Sequence, residues 1–347
     1  MKRVWIIFFI LMIIAIVALL LWITKARAPI SNIGTEFQEV EEISESSVKS
    51  TSFVFGGDMM YDRYVNHIFK NAGFNHIFDN LDKVLFADKD ISFANLEGPV
   101  SDKPIIDDYP ERSLNFNMPP ETISTIKNLG LNGVSLANNH TLNAGASGFA
   151  TTQSLLKNAG IKYGGSQNGF DEGSVIRYNS EIPVSIIAVD YLAFNNNAKI
   201  NTAIKAEKNL NRFIIVFPHW GEEYALTHNA SQENAAKSWI DAGADLIIGS
   251  HPHVVQDIGT YSNKPIIYSL GNFVFDQTFS KDTQEGLIVG GKITETSLEI
   301  TLNPIESIKL KPELMAPKSK TAMLGRILNR AILGSNLINE NTILLPR

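Results

Sequence analysis

Five times along this chain an apolar run of strand length stops at a small cluster of polar residues. The runs end at Asp58 after Gly56-Gly57, at Asn95 and Glu97, at Asn139-His140, at His219, and at His251-Pro252-His253. This pattern constrains the fold more than any other feature. In open α/β sheets, ligands gather outside the carboxyl ends of the strands. Helical periodicity fills the intervals, over about 63–71 and 75–87, from Pro119-Pro120 to near Gly130, over "SGFATTQSLLKNAG" with Gly160 as its stop, and over "SQENAAKSWIDAG". Further strands are expected at about 161–164, 174–178 and 184–190. The second half turns strand-rich in "PIIYSLGNFVF", "EGLIVGGKI" and "SLEITLNPIESIKL", and about 318–334 reads as a short basic helix. Early alternation of strand and helix predicts parallel units, and the later strands predict a second sheet or an antiparallel edge. One layered α/β domain is therefore expected over 51–320, with 321–347 as a C-terminal tail.

The N-terminus carries a different signal. Met-Lys-Arg precedes "VWIIFFILMIIAIVALLLWIT", an uncharged run over residues 4–24. At about 1.5 Å per residue such a helix matches the roughly 30 Å hydrocarbon core of a bilayer. The apolar core of a cleaved signal is shorter, about 7–15 residues. "ARA" at 26–28 resembles a cleavage site, but Pro29 disfavours cleavage there. Residues 1–27 are accordingly expected to be a retained transmembrane anchor. Lys2 and Arg3 before the run are nearly balanced by Lys25 and Arg27 after it. A first span followed by a long domain usually leaves its N-terminus inside. The expected placement is thus a single-pass protein of the cell membrane with an extracytoplasmic domain. Residues 28–50 are acidic and serine-rich and read as a polar linker.

Composition excludes several chemistries. There is no cysteine, which rules out disulfides, thiolate metal sites, a cysteine nucleophile and a lipid-bearing cysteine. Four basic residues lie in the first 27, so the remainder carries 26 Lys and Arg against 36 Asp and Glu. Nucleic acid is not an expected partner of so acidic a domain, because phosphate backbones need basic faces.

Carboxylate, amide oxygen and imidazole are ligand types for divalent Mn, Zn or Fe. The strand-exit residues Asp58, Asn95, Glu97, Asn139, His219, His251 and His253 are therefore expected to share one metal site, with His140 beside it. Each has an ordinary alternative: Asp58 as a turn residue, Asn95 and Glu97 as local caps, Asn138-Asn139 as a turn, and His219 as a packed histidine. The His-Pro-His triplet is more specific. Pro252 disfavours helix, and an extended backbone would point residues 251 and 253 to one side. Glu222 and Glu223 follow His219 and are candidates to orient an imidazole, or to cap the next helix. Asn272 in "SLGNFVFDQ" has a similar supporting place, and Asp276 is a lesser ligand candidate.

The stretches "FGGDMMYDR", "ANLEGPVS", "SLANNHTLNAG", "FPHWGEEY", "IIGSHPHVVQ" and "YSLGNFVFDQ" occur in this order across about residues 52–290. Together they resemble the CapA/PgsA family of poly-γ-glutamate capsule biosynthesis proteins, which is similar in turn to the calcineurin-like metallophosphoesterases. The resemblance implies a metallophosphatase-like layered sandwich, two packed mixed sheets flanked by helices, preceded by one transmembrane helix. It implies that Asp58 is the first-motif aspartate and that Asn95 or Glu97 lies in the bridging region. Asn139 would be a ligand, His140 the histidine beside the leaving oxygen, His219 the lone histidine ligand, and His251 and His253 the final pair. Two positions depart from the metallophosphoesterase pattern: Met60 stands where a histidine is usual, and Ala94-Asn95 where Gly-Asp is usual.

The resemblance implies a membrane-anchored protein acting in synthesis, export or anchoring of poly-γ-glutamate or a similar anionic surface polymer, beside a membrane-bound amide ligase. A metal would polarise an amide or phosphate oxygen or activate a water, with His140 as nearby acid or hydrogen-bond donor. Two other functions fit the same residues. One is an extracytoplasmic metal-dependent phosphoesterase or amide hydrolase unconnected with capsule. The other is a non-catalytic polymer-binding scaffold.

Overall fold

Alternation along the strands builds the layers. In β1 (Ser50–Met59) Phe53 and Phe55 face one side while Val54 faces the other. The computed structural model describes residues 14–18, 21–22, 48–102, 114–167, 169–328 and 337–347. β1, β2 (Ile91–Leu96), β3 (Gly133–Ser135) and β4 (Lys162–Gly164) lie side by side and parallel. Between them run α1 (Arg63–Ala72), α2 (Glu121–Leu129) and α3 (Gly145–Ala159). Val65, Phe69, Ile123, Ile126 and Leu156 of these helices cover Val54, Ala94 and Val134 on the outer face of the sheet.

The chain then forms a second sheet from β5 (Val175–Tyr178), β6 (Val184–Asp190), β7 (Phe213–His219), β8 (Leu246–Ile248), β9 (Ile258–Tyr261) and β10 (Lys264–Ile267). Its order is β5-β6-β7-β8-β10-β9, with the central pairs β6-β7, β7-β8 and β8-β10 parallel. Ile187, Val189, Ile214 and Val216 face α4 (Asn197–Asn209) and α5 (Ala230–Ala242), whose Ile200, Ile204, Ala235 and Trp239 cover them. The alternate residues Ile186, Ala188, Phe213, Ile215 and Phe217 pack with Phe53, Phe55 and Phe93 of the first sheet in one continuous core. The result is four layers, helix, sheet, sheet, helix, which is the layered α/β sandwich expected.

The chain returns to the first sheet for β11 (Asn272–Val274), parallel to β1, and β12 (Glu285–Thr294), antiparallel to it. β13 (Ser297–Ile308) continues the sheet, β14 (Lys311–Leu314) pairs with β13, and β15 (Leu337–Asn339) pairs with β16 (Thr342–Pro346). β16 also pairs along β13 and buries Ile343 and Leu345, so the segment read as a tail adds a strand to the sheet. α6 (Pro317–Leu328) seats Met323, Leu324 and Ile327 in the core between the sheets.

Two elements differ from expectation. The helix expected over 75–87 is two 3-10 turns, Phe74–Phe78 and Lys83–Leu85. Asp82 accepts from Val84 N at 3.0 Å and starts the second turn afresh. α4 was not anticipated; it buries only Ile200, Ile204 and Glu207, so its apolar stripe is too sparse to read. Of the expected anchor, residues 14–18 and 21–22 are helical and the rest of 4–24 lies outside the described residues, as does most of the 28–50 linker. Among the described residues, no helix is long and apolar enough to cross a membrane.

Candidate metal centre

β1 delivers Asp58 through a distortion that its two glycines permit. The register of β1 with β2 shifts between Phe55 and Asp58, and Asp58 N donates to Gly271 O at 3.0 Å. A Cβ on Gly57 would lie 1.9 Å from that same carbonyl oxygen, so no side chain fits there. β2 ends with Asn95 and is followed by Glu97, whose N–H donates to Met59 O at 2.9 Å. The exit of β3 supplies Asn138, Asn139 and His140, that of β7 supplies His219, and that of β8 supplies His251 and His253.

These exits converge. His251 N–H donates to Asp58 Oδ2 at 3.1 Å. His253 Nδ1 lies 3.5 Å from Asp58 Oδ2, and its Nε2 lies 3.5 Å from Glu97 Oε1. His219 Nε2 is 3.0 Å from Asn139 Oδ1 and 3.2 Å from His251 Nδ1, while its Nδ1 is 3.0 Å from Ser250 Oγ. His140 Nε2 is 3.9 Å from Glu97 Oε1. The first sheet thus supplies both carboxylates and the second supplies three imidazoles.

The backbone under the histidine pair is not the extended chain expected. His251 and His253 have φ of 99° and 58°, so the triplet is a tight turn. Proline restricts the helical basin of its predecessor but does not compel a strand. The two rings nevertheless sit 6.0 Å apart between centroids, brought together by the turn rather than by alternation.

Hydrogen bonds fix which atoms each side chain presents. Asn138 Oδ1 accepts from His140 N–H at 3.1 Å and from the Thr141 hydroxyl at 3.0 Å, and its Nδ2 donates to Leu96 O at 2.9 Å. The amide of Asn138 therefore has one possible orientation. Its Nδ2 also donates to Asn95 Oδ1 at 3.0 Å, which turns the Asn95 NH2 toward the carboxylates. Asn95 Nδ2 donates to Asp58 Oδ1 at 2.8 Å and lies 3.4 Å from Glu97 Oε2. Asn95 was expected as a ligand, but its oxygen is engaged elsewhere and a donor occupies the bridging place. His140 differs similarly. Asn143 Oδ1 accepts from Phe116 N–H at 3.0 Å and lies 2.9 Å from His140 Nδ1, so that nitrogen carries the hydrogen. Nε2 then presents a lone pair, with Asn139 Nδ2 at 3.2 Å.

Burial sets the electrostatics. Asp58 and Glu97 are fully buried. Desolvation raises the Asp58 carboxyl to about 7 against the hydrogen bonds from Asn95 and His251. Desolvation, then the adjacent Asp58 charge, raises Glu97 well above the usual range. Burial lowers His251 to about 4 and His253 to about 3, and lowers His219 well below its usual value. Neutral imidazoles keep the lone pairs that a metal needs.

Asp58, Glu97 and His219 each offer a ligand atom, and these atoms all lie within 4.8 Å of one another. Metal–ligand bonds of about 2.0–2.2 Å suit such spacing. Glu97 Oε1 is buried with no hydrogen-bond partner, a costly state that a cation would relieve. The donor set therefore fits a divalent metal. His253 is already oriented for it: Asn272 Oδ1 lies 3.0 Å from Nδ1, leaving Nε2 directed at Glu97. Met60, at the usual histidine position, is buried against Phe116 and Phe275.

Other candidates lie apart. Glu222 is exposed, and among the described residues no hydrogen bond or ion pair joins it to a site imidazole. Its neighbour Glu223 is the acid whose charge acts on Glu97 and His140. Asp276 is held by the Arg63 guanidinium and by Tyr64 N–H at 3.1 Å. Arg63 and Asn138 escaped the sequence reading. Arg63 had a signal, a lone cation five residues beyond Asp58. Asn138 had none that separated it from Asn139.

Comparison with known proteins identifies a family and several relatives. Residues 52–277 match the family described as bacterial capsule synthesis protein PGA_cap. The chain is 28% identical over 328 residues to the capsule biosynthesis protein CapA of Bacillus anthracis, covering 87% of this chain and 74% of that one. It is 28% identical over 285 residues to the PGA biosynthesis protein CapA of Bacillus subtilis, covering 77% and 71%. It is 26% identical over 215 residues to a probable polyglutamine synthesis accessory protein of Mycobacterium tuberculosis, covering 54% and 56%. The matched span holds every strand exit that builds the centre, and the chain belongs to the PGA_cap family of bacterial capsule synthesis proteins.

Proposed function

We propose that this protein acts in the biosynthesis of a poly-γ-glutamate capsule or a similar anionic surface polymer, through a divalent-metal site on a metallophosphatase-like sandwich. The convergence of Asp58, Glu97 and His219 carries the reading. The names of the Bacillus relatives supply the polymer. In this reading residues 4–24 anchor the chain in the cell membrane, the domain works outside, and a membrane-bound amide ligase is its neighbour.

Asp58, Glu97 and His219 would hold the metal, Mn, Zn or Fe, with His253 Nε2 and His251 at its margin. A bound divalent ion supplies charge that polarises an amide or phosphate oxygen or acidifies a water. Asn272 keeps the His253 lone pair aimed inward. His140 Nε2 stands beside the carboxylates as a proton acceptor, since Asn143 occupies its other nitrogen. The Asn95 NH2 in the bridging place disfavours a second cation there and favours a single-ion site.

The same Asn95 donor supports a second reading, a site that binds polymer without turnover. One experiment addresses both. The full chain is purified, its bound metal is measured, and hydrolysis of γ-linked glutamate polymer is followed for wild type and His251→Ala. Bound metal with turnover that falls at least tenfold in the variant supports the metal-dependent enzyme. Bound metal and polymer binding without turnover in either protein supports the scaffold. A folded chain that takes up none of the three metals overturns the proposed centre.

A further inference from the structure

A cleft of about 380 Å³ has Arg63, Tyr224, Asp276, Gln277, Thr278 and Phe279 in its wall. That volume is within the range of ligand pockets, about 300–1,000 Å³. It adjoins the metal centre. Tyr224 lies 6.2 Å from His253 between ring centroids, and Gln277 Oε1 accepts from Asn272 Nδ2, the side chain whose oxygen faces His253, at 3.1 Å.

Among the described residues Arg63 is the only cation in the wall, beside one acid, Asp276. Its Nε and Nη2 hold Asp276, and its plane sits 5.0 Å from the Phe116 ring and 5.7 Å from Phe275. Among the described residues, the Nη1 edge has no hydrogen-bond partner. A guanidinium fixed on one edge and open on the other is preorganised for a planar anion such as a carboxylate. Tyr224 and Phe279 stand edge to face at 5.2 Å and are 43% and 67% exposed, forming an aromatic wall. Gln277 donates to Tyr224 Oη at 3.3 Å, placing amide and hydroxyl groups along the same wall.

We propose that this cleft binds a γ-glutamyl chain segment, with Arg63 Nη1 taking a side carboxylate while Tyr224 and Gln277 face the chain amides. The proposal rests on the capsule-polymer reading above and specifies where the polymer lies. It also resolves a conflict of charge. The protein is net negative, at −6, and so is the polymer. One oriented arginine provides local attraction where a broad basic groove is lacking. A phosphate polymer is a different occupant and is disfavoured by the amide and aromatic character of the wall.

The test measures binding of a synthetic γ-linked glutamate oligomer to the full chain, alongside its bound metal. Thr278 is exposed in the cleft wall, so Thr278→Glu adds a negative charge with little risk to the fold. Arg63→Gln combined with Asp276→Asn removes the anchor without stranding its buried partner. Each should weaken binding about tenfold or more, a change of one kcal-scale charged contact, with bound metal unchanged. Asn234→Glu, the same charge change on the exposed face of α5, should leave binding intact. An oligomer of γ-linked glutamine, equal in length but neutral, should bind more weakly and be insensitive to the Arg63 change. Binding that survives Thr278→Glu and the double variant but disappears with Asp58→Asn overturns the cleft and spares the capsule reading. Equal or tighter binding of a polyphosphate chain overturns the carboxylate assignment. No binding of the glutamate oligomer to wild type overturns both.

Discussion

Asn138 decides what the bridging position offers. Its amide is pinned by Leu96 O, His140 N–H and the Thr141 hydroxyl, and it passes that orientation to Asn95. Asn138→Ala strips a partner from Asn95 Oδ1, Leu96 O and the His140 N–H; Leu96 O keeps the Gly98 N–H and the Thr141 hydroxyl keeps Leu136 O, so Asn95 Oδ1 and the His140 N–H are left unpaired. Unpaired buried groups cost about 1–3 kcal/mol each, so a loss of about 3 kcal/mol in denaturant unfolding is expected. The variant also frees Asn95 to rotate, and altered metal uptake should accompany the loss; unchanged stability and uptake would contradict the relay. Sequence alone did not single out Asn138 because adjacent residues of one type say nothing about which side chain turns inward. Histidines and carboxylates at strand exits were legible, since scarce ligand types cluster there for few other reasons. Their tautomers and amide orientations were not, because these depend on partners distant in the chain. Asp190 offers a test of burial. Desolvation raises its carboxyl from 3.8 to about 6 against the Leu192 and Ala193 N–H groups. The folded state thus favours the protonated form. Its stabilising contribution is complete below about pH 4 and is lost as pH rises through about 6, by on the order of 3 kcal/mol. Asp190→Asn should remove that decline, so the gain over wild type in urea midpoint should grow between pH 4 and 7. A constant difference across this range would mean that the carboxyl titrates normally.

At the scale of elements, strand exits carry the geometry and glycine permits it. β1 must pass against the Gly271 carbonyl to bring Asp58 to the carboxyl edge, and a Cβ at Gly57 would lie 1.9 Å from that oxygen. Backbone cannot yield as a flexible side chain does. Gly57→Ala should therefore cost about 3 kcal/mol or more, in the range of severe overpacking, and displace Asp58. Lowered thermal stability together with lost metal uptake is the expected pair of results; normal uptake would show that the strand shifts without moving the carboxylate. The alternation that separates Phe53 and Phe55 from Val54 is visible in the residues themselves, because a strand repeats every two residues. α4 was hidden by its polar surface, and β16 by its distance in sequence from β13. Short turns escaped for a related reason. The spans Phe74–Phe78 and Lys83–Leu85 share helical spacing of apolar residues, yet Asp82 restarts the chain between them.

For the molecule as a whole, the centre joins its two sheets. The carboxylates of Asp58 and Glu97 come from one sheet, and His219, His251 and His253 come from the other. Without a cation, two buried carboxyls with raised affinity for protons face three neutral imidazoles, and hydrogen bonds help tie the edge together. A divalent ion would neutralise both acids and link the layers. Unfolding separates these residues, which lie up to 195 positions apart between Asp58 and His253, so an ion held by all of them binds the folded chain far better than the unfolded one. Mass action then predicts a stability gain of about 2.7 kcal/mol when free metal is at about a hundredfold excess over its dissociation constant. For a domain of this size that corresponds to a rise of several degrees in the thermal midpoint. Chelation should reverse the rise, and Asp58→Asn should abolish it; the variant's metal-free midpoint should fall little, because loss of the costly buried acid offsets the one hydrogen bond, from Asn95 or the His251 N–H, that the new NH2 cannot accept. The comparison is direct: thermal scans of wild type and Asp58→Asn, each with excess metal and with chelator. A midpoint in wild type that ignores both additions, in protein shown to carry the ion, would place the metal away from the junction of the sheets.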